Sequence, residues 1–142
     1  MLDLLTEPFG TSTVEWVALP LRLALGVIFI DGGFGKYHRG ISGTGRWMEG
    51  LGIPFPQLSA RLVATTELVG GVLLLLGLLT HWVAIPLAFD MGVAILISKF
   101  RMGAPFQGGE VQGYDLNVIL AAACVALVLS GAGTLSLDRL IN

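Results

Sequence analysis

From Leu62 to Leu79 the predominantly apolar chain carries a single charge, Glu67. This run belongs to a segment reaching from about Leu58 to Leu79, and three others resemble it: Val14 to Phe34, Trp82 to Lys99 and Asp115 to Ala132. Each is near the ~20 residues that cross ~30 Å of hydrocarbon. The rest of the composition leaves little alternative. Of 142 residues 54% are apolar and 13% charged, and mean hydropathy is +0.82. A water-soluble fold this small exposes much of its surface and needs a polar exterior that these residues do not supply. A soluble enzyme and a disordered tail are thereby excluded, and a net charge of −2 gives no basic footprint for nucleic acid. The expected fold is all-α: an antiparallel four-helix bundle integral to the membrane, one domain over residues 1–142.

Residues 1–13 carry Asp3 and Glu7 but no Lys or Arg, so the basic start of a secretory signal is missing and the first segment is expected to stay. Lys36, Arg39, Arg46, Arg61, Lys99 and Arg101 fall on the side of the two long loops, and only Arg139 on the other. Six against one places the loops in the cytoplasm and both termini outside the cell membrane. The aromatic residues agree, with Trp16 and Trp82 at the outer interface and Tyr37, Trp47, Phe55, Phe100, Phe106 and Tyr114 at the inner one. Thr80 and His81 leave room only for a tight outer turn. Residues Thr44 to Gly50 suggest a short interfacial helix with Thr44 as its cap. Small residues such as Gly26, Gly33, Ala60, Ala64, Gly70 and Gly71 suit close helix packing. Pro20 and Pro86 are either tolerated kinks or weak points lining a cavity.

Ionisable groups inside the spans are the candidates for chemistry, because each costs ~2.5–3.5 kcal/mol at mid-bilayer unless it meets a partner or a cavity. At 1.5 Å per residue, Arg22 and Asp90 each lie about 12 Å below the outer ends of their segments, and Glu67 about 13 Å above the inner end of its own. A guanidinium spans the remaining gap, so the reading is a buried cluster of Arg22, Glu67 and Asp90. It is either a clasp that fixes helix register or a site that relays protons or binds a polar head group. Two carboxylates sharing one arginine leave a negative charge that one proton would neutralise. Asp31 lies near the inner interface beside Lys36 and is a further ligand-binding candidate. His38 and His81 fall on opposite sides and cannot share a metal or haem, and no Cys/His cluster exists. Cys124 reads as a small buried hydrophobe. No metal or covalent cofactor is expected.

The stretches Arg22-Leu-Ala-Leu-Gly26 with Gly33 and Lys36, Leu51-Gly52-Ile53-Pro54, Glu67-Leu-Val-Gly70-Gly71 and Gly131-Ala-Gly133-Thr-Leu-Ser136-Leu-Asp138 together resemble the DoxX family of small four-helix membrane proteins, over about residues 20–138. Asp115, or alternatively Glu110 in Gly-Gly-Glu, looks like the acidic residue that often opens the fourth helix of that family. The resemblance implies a membrane redox subunit offering a quinone or small-ligand site lined by Arg22 and Glu67 and working with a partner oxidoreductase in a larger complex or a homo-oligomer. With no flavin, haem or iron–sulfur motif in the chain, electrons would come from a substrate or that partner. An anchoring or assembly subunit and a small transporter are the alternatives. Fold transfers across such a family more safely than chemistry does.

Overall fold

The structure, a computed structural model, describes residues 15–141. Among the described residues six helices follow one another: α1 (Ala18–His38), α2 (Ile41–Gly50), α3 (Pro56–Leu76), α4 (Thr80–Leu96, continued by a π-helical turn Ile97–Arg101), α5 (Asp115–Ser130) and α6 (Leu137–Ile141). There is no strand among the described residues. Three of the described helices are long and apolar enough to cross a membrane: α1 and α3 with 21 residues each, and α4 with its π-helical turn, 22 residues. The fourth, α5, is equally apolar but has 16 residues, a rise of about 24 Å. Outward-facing side chains fit this solvent. Val27, Leu62, Ile119 and Leu129 are 59–80% exposed, a coat that water would not tolerate over so much surface.

The helices pack as α1 against α3, α4 against α5, and α3 against α4, with α2 lying on α3. The α1–α3 contact runs antiparallel and is a contact of backbones. A Cβ on Gly33 would sit 2.5 Å from Leu68 N, and one on Gly71 2.8 Å from Gly26 O. Ala60 and Ala64 are fully buried in the same seam. In lipid, where there is no hydrophobic drive between helices, this closeness is what dispersion attraction requires. Leu25, Phe29, Leu74, Leu87, Met91, Cys124 and Leu127 fill the interior.

The turn between α3 and α4 marks what we call the hairpin end, and α2 with residues 102–114 marks the loop end. At the hairpin end Gly77 (φ +64°) stops α3: its N–H reaches Leu74 O at 3.1 Å, and Leu78 N reaches Leu73 O at 2.9 Å. This is the Schellman pattern, and it needs a residue at ease in the left-handed region. The next helix is capped from a distance. Asp138 accepts hydrogen bonds from Leu79 N (2.7 Å) and Thr80 N (3.0 Å), supplying acceptors to the first free donors of α4.

Helices lie in the expected segments with shifted ends: 18–38 where 14–34 is expected, 56–76 for 58–79, 80–101 for 82–99, and the shorter 115–130 for 115–132. The short helix begins at Ile41 instead of Thr44, because the chain reverses at Gly40 (φ +97°); Thr44 lies within it and is no cap. Pro20 is no kink either, since it falls in the first turn of α1, where a missing N–H has no helical acceptor to lose. The reading of residues 1–13 lies outside the described residues.

Candidate functional site

Three spanning helices bring one charged side chain each to a common place. Lys36, near the loop end of α1, donates through Nζ to Glu67 Oε2 of α3 and reaches Gly32 O at 3.5 Å. The Glu67 side chain is 7% exposed and that of Lys36 23%, so the carboxylate is enclosed and the ammonium is partly open. Asp90 of α4 faces the pair. Its carboxyl interacts electrostatically with Glu67 and with Lys36, and its Oδ2 is buried with no hydrogen-bond partner. Two carboxyl groups thus stand against one ammonium. On the loop side, Tyr37 Oη and Thr65 Oγ1 are 2.6 Å apart and join α1 to α3.

Of the expected trio, two residues come together. Glu67 and Asp90 meet, but Arg22 does not join them. Its guanidinium, fully buried, turns to the hairpin end and donates through Nη2 to Leu135 O (3.0 Å) and Thr134 O (3.3 Å). Asp138 interacts with it electrostatically, and a Cβ on Gly77 would fall 1.6 Å from Nη1. The cause is the direction of side chains. On a helix they lean toward the N-terminus. Arg22 therefore points up toward the hairpin end, whereas Glu67, on an antiparallel helix, points down toward the loop end. Lys36 sits below Glu67 and leans up to meet it. It is the residue that depth alone missed, and this lean is the signal that would have found it.

Asp31 does not line the cluster. It is exposed on α1 and forms no ion pair among the described residues. His38 stacks on Phe34 with centroids 5.7 Å apart, and His81 Nδ1 lies 2.7 Å from Val128 O at the other end of the molecule. Cys124 is fully buried on α5, where Asp90 acts on it electrostatically. Among the described residues no three of His, Cys, Asp and Glu converge on a place for a metal ion. Pro86 does line a depression: a groove of about 330 Å³ between α3 and α4, bordered also by Thr66, Val69, Gly70, Leu73 and Trp82. Its lining residues lie one helical turn from Glu67 on α3 and from Asp90 on α4, and it opens to the lipid side.

Residues 17–99 match the family model DoxX. The chain is 36% identical over 132 residues to an uncharacterized membrane protein of Mycobacterium tuberculosis, covering 86% of this chain and 79% of the relative. It is 33% identical over 120 residues to the inner membrane protein YphA of Escherichia coli, with 83% and 85% covered. A Bacillus subtilis protein named provisionally as an oxidoreductase, CatD, is 32% identical over 130 residues, with 92% and 90% covered. No solved structure matches.

Proposed function

This chain belongs to the DoxX family of membrane proteins, and from that premise we propose that it is a multi-pass redox subunit whose Lys36–Glu67–Asp90 cluster takes a quinone-type head group and handles its protons. The observation that carries the reading is the buried Asp90 Oδ2 without a donor, beside a Glu67 already engaged by Lys36. A buried acceptor left without a donor costs about 1–3 kcal/mol, and carboxyl groups within spans mark proton relays and ligand sites. The name of the CatD relative supports oxidoreductase chemistry in the family.

The roles follow from the atoms present. Reducing a quinone to a quinol takes two electrons and two protons. Lys36 Nζ is a donor for a quinone oxygen, and the two carboxyl groups are holders for the two protons. Tyr37 and Thr65, joined at 2.6 Å, stand between the cluster and the loop end, from which protons are replaced. The groove beside Trp82 and Pro86 suits the entry of an apolar tail from the lipid. Electrons come from a partner oxidoreductase. The count of basic residues puts the loop end in the cytoplasm, and a reporter fused after Asn142 that works only outside the cytoplasm is expected to be active.

The test is binding of a short-chain ubiquinone to the purified chain in nanodiscs, with variants Glu67→Gln, Asp90→Asn and Lys36→Met. Folded variants, by unchanged helical circular dichroism, are expected to bind at least tenfold more weakly. Undiminished binding in all three would refute the reading.

A further inference from the structure

The inward stripes of three spans stop being buried at the floor of the apolar core. From the hairpin end, in alternating steps of four and three, α1 is buried at Ala18, Arg22, Leu25 and Phe29, and α4 at Thr80, Ala84, Leu87 and Met91. On α5, read back toward the loop end, Leu127, Cys124 and Leu120 are buried in the same rhythm. Such spacing keeps residues on one helix face. Phe29, Met91 and Leu120, the last buried residue of each stripe, belong to one core cluster. The next positions of the same stripes are Gly32 and Lys36, Ala94 and Ser98, and Asn117, and all of them are partly exposed. They are small or polar, whereas the core above them is apolar.

The atoms nearest to a Cβ on Gly32 would be the Glu67 carboxyl group, with Oε2 at 3.2 Å, and Lys36 Nζ at 3.8 Å. No backbone of a neighbouring helix is among them, as it is at Gly33. Glycine inside a helix is less favourable than alanine, and helix packing does not account for this one. Its missing side chain leaves one flank of the ion pair uncovered. Asp90, across the interior, is partly exposed as well. Over the same stretch α4 passes into its π-helical turn, Ile97–Arg101, a widening that recurs at functional sites.

We propose that the loop-end half of the bundle interior is an aqueous vestibule, closed toward the hairpin end by Phe29, Met91 and Leu120, through which water and small hydrophilic solutes reach the Lys36–Glu67–Asp90 cluster from the loop side alone. The lining selects water over lipid. Acyl chains against Lys36, Asp90, Ser98 and Asn117 would leave polar groups without partners, and ionisable groups within spans face the bundle interior or a water-filled cavity. Protons therefore exchange with the cluster from one side of the membrane. The Cys124 thiol, one turn beyond Leu120, lies above the closure. The proposal rests on the cluster and not on the quinone: a cluster that binds no quinone still sits at the inner end of the vestibule.

The experiment places single cysteines in the full chain, in nanodiscs, and reads their modification by a small membrane-impermeant cationic methanethiosulfonate, site by site, by mass spectrometry. Gly32→Cys and Ala94→Cys probe the vestibule. Phe34→Cys and Leu96→Cys stand two residues nearer the loop end, at outward positions 57% and 56% exposed, and control for mere closeness to the interface. Native Cys124 reports on the closure, and helical circular dichroism checks that each variant is folded. The expected result is modification of Gly32→Cys and Ala94→Cys at least tenfold faster than of Phe34→Cys, Leu96→Cys and Cys124. Vestibule rates no higher than those of the two outward controls overturn the proposal. So does modification of Cys124 as fast as of Ala94→Cys, because nothing would then close the interior at Phe29, Met91 and Leu120.

Discussion

Lys36 of α1 pairs with Glu67 of α3, and Arg22, on the same helix as Lys36, points away from both and grips the carbonyls of Thr134 and Leu135. One helix thus sends its two basic groups into the spanning region on different errands. Lys36 joins the two carboxyl groups that carry the proposed chemistry. Arg22 ties the segment after α5 to the start of α1 and to the α3–α4 turn, where Asp138 caps α4 and Gly77 leaves the guanidinium its space.

The Arg22 grip predicts a structural phenotype. Arg22→Leu removes the donor that holds the Thr134 and Leu135 carbonyls against the start of α1, and is expected to lower thermal stability in detergent. Short-chain ubiquinone binding, measured below the melting temperature, is expected to survive. A loss of binding with stability intact would return Arg22 to the ligand site.

Gly77→Ala attacks the same place by sterics. The new Cβ meets Arg22 Nη1 at 1.6 Å and must hold φ near +64°, a conformation that costs a non-glycine residue about 1 kcal/mol before any clash. The expected loss exceeds that figure, and combining it with Arg22→Leu is expected to cost less than the sum, because the clash with the guanidinium is gone and only that with Ser136 Cβ at 2.6 Å stays. Chemical denaturation of the four proteins measures this directly.

Asp138→Ala removes both acceptors of the Leu79 and Thr80 amides. Loss of such a cap costs about 1 kcal/mol, and the readout is faster hydrogen exchange at the first turn of α4 with the rest of the helix unchanged.

Gly33→Ala tests the α1–α3 seam. Its Cβ would lie 2.5 Å from Leu68 N and 2.7 Å from Ala64 O, both backbone atoms that no rotamer change can move. The helices must separate, and a drop in melting temperature larger than for Gly77→Ala is expected.

These residues also show how far the sequence could be read. Apolar runs gave away the spans because a bilayer sets their length, and the small residues of the α1–α3 seam were visible as such. Glu67 and Asp90 were found together because both lie ten residues from the α3–α4 turn, so counting along the helices suffices. Arg22 and Lys36 were misassigned because the count locates Cα atoms, whereas a long side chain carries its charge toward the helix N-terminus. The acceptors of Arg22 left no trace at all: backbone carbonyls have no residue type, and the segment presenting them turns at Gly131, Gly133 and also Leu135 (φ +50°), the last a residue with no turn signature. Arg22 and the Gly131–Asp138 stretch, separate elements of the family resemblance, are each other's partners in space.

A double-mutant cycle on melting free energy tests the arrangement most directly, with Lys36→Met and Glu67→Gln in one cycle and Arg22→Leu and Glu67→Gln in the other. Breaking a buried pair from one side strands the other charge, so the first cycle is expected to show coupling of about 1–3 kcal/mol and the second to be additive within about 0.5 kcal/mol. Coupling between Arg22 and Glu67, with additivity between Lys36 and Glu67, would contradict it.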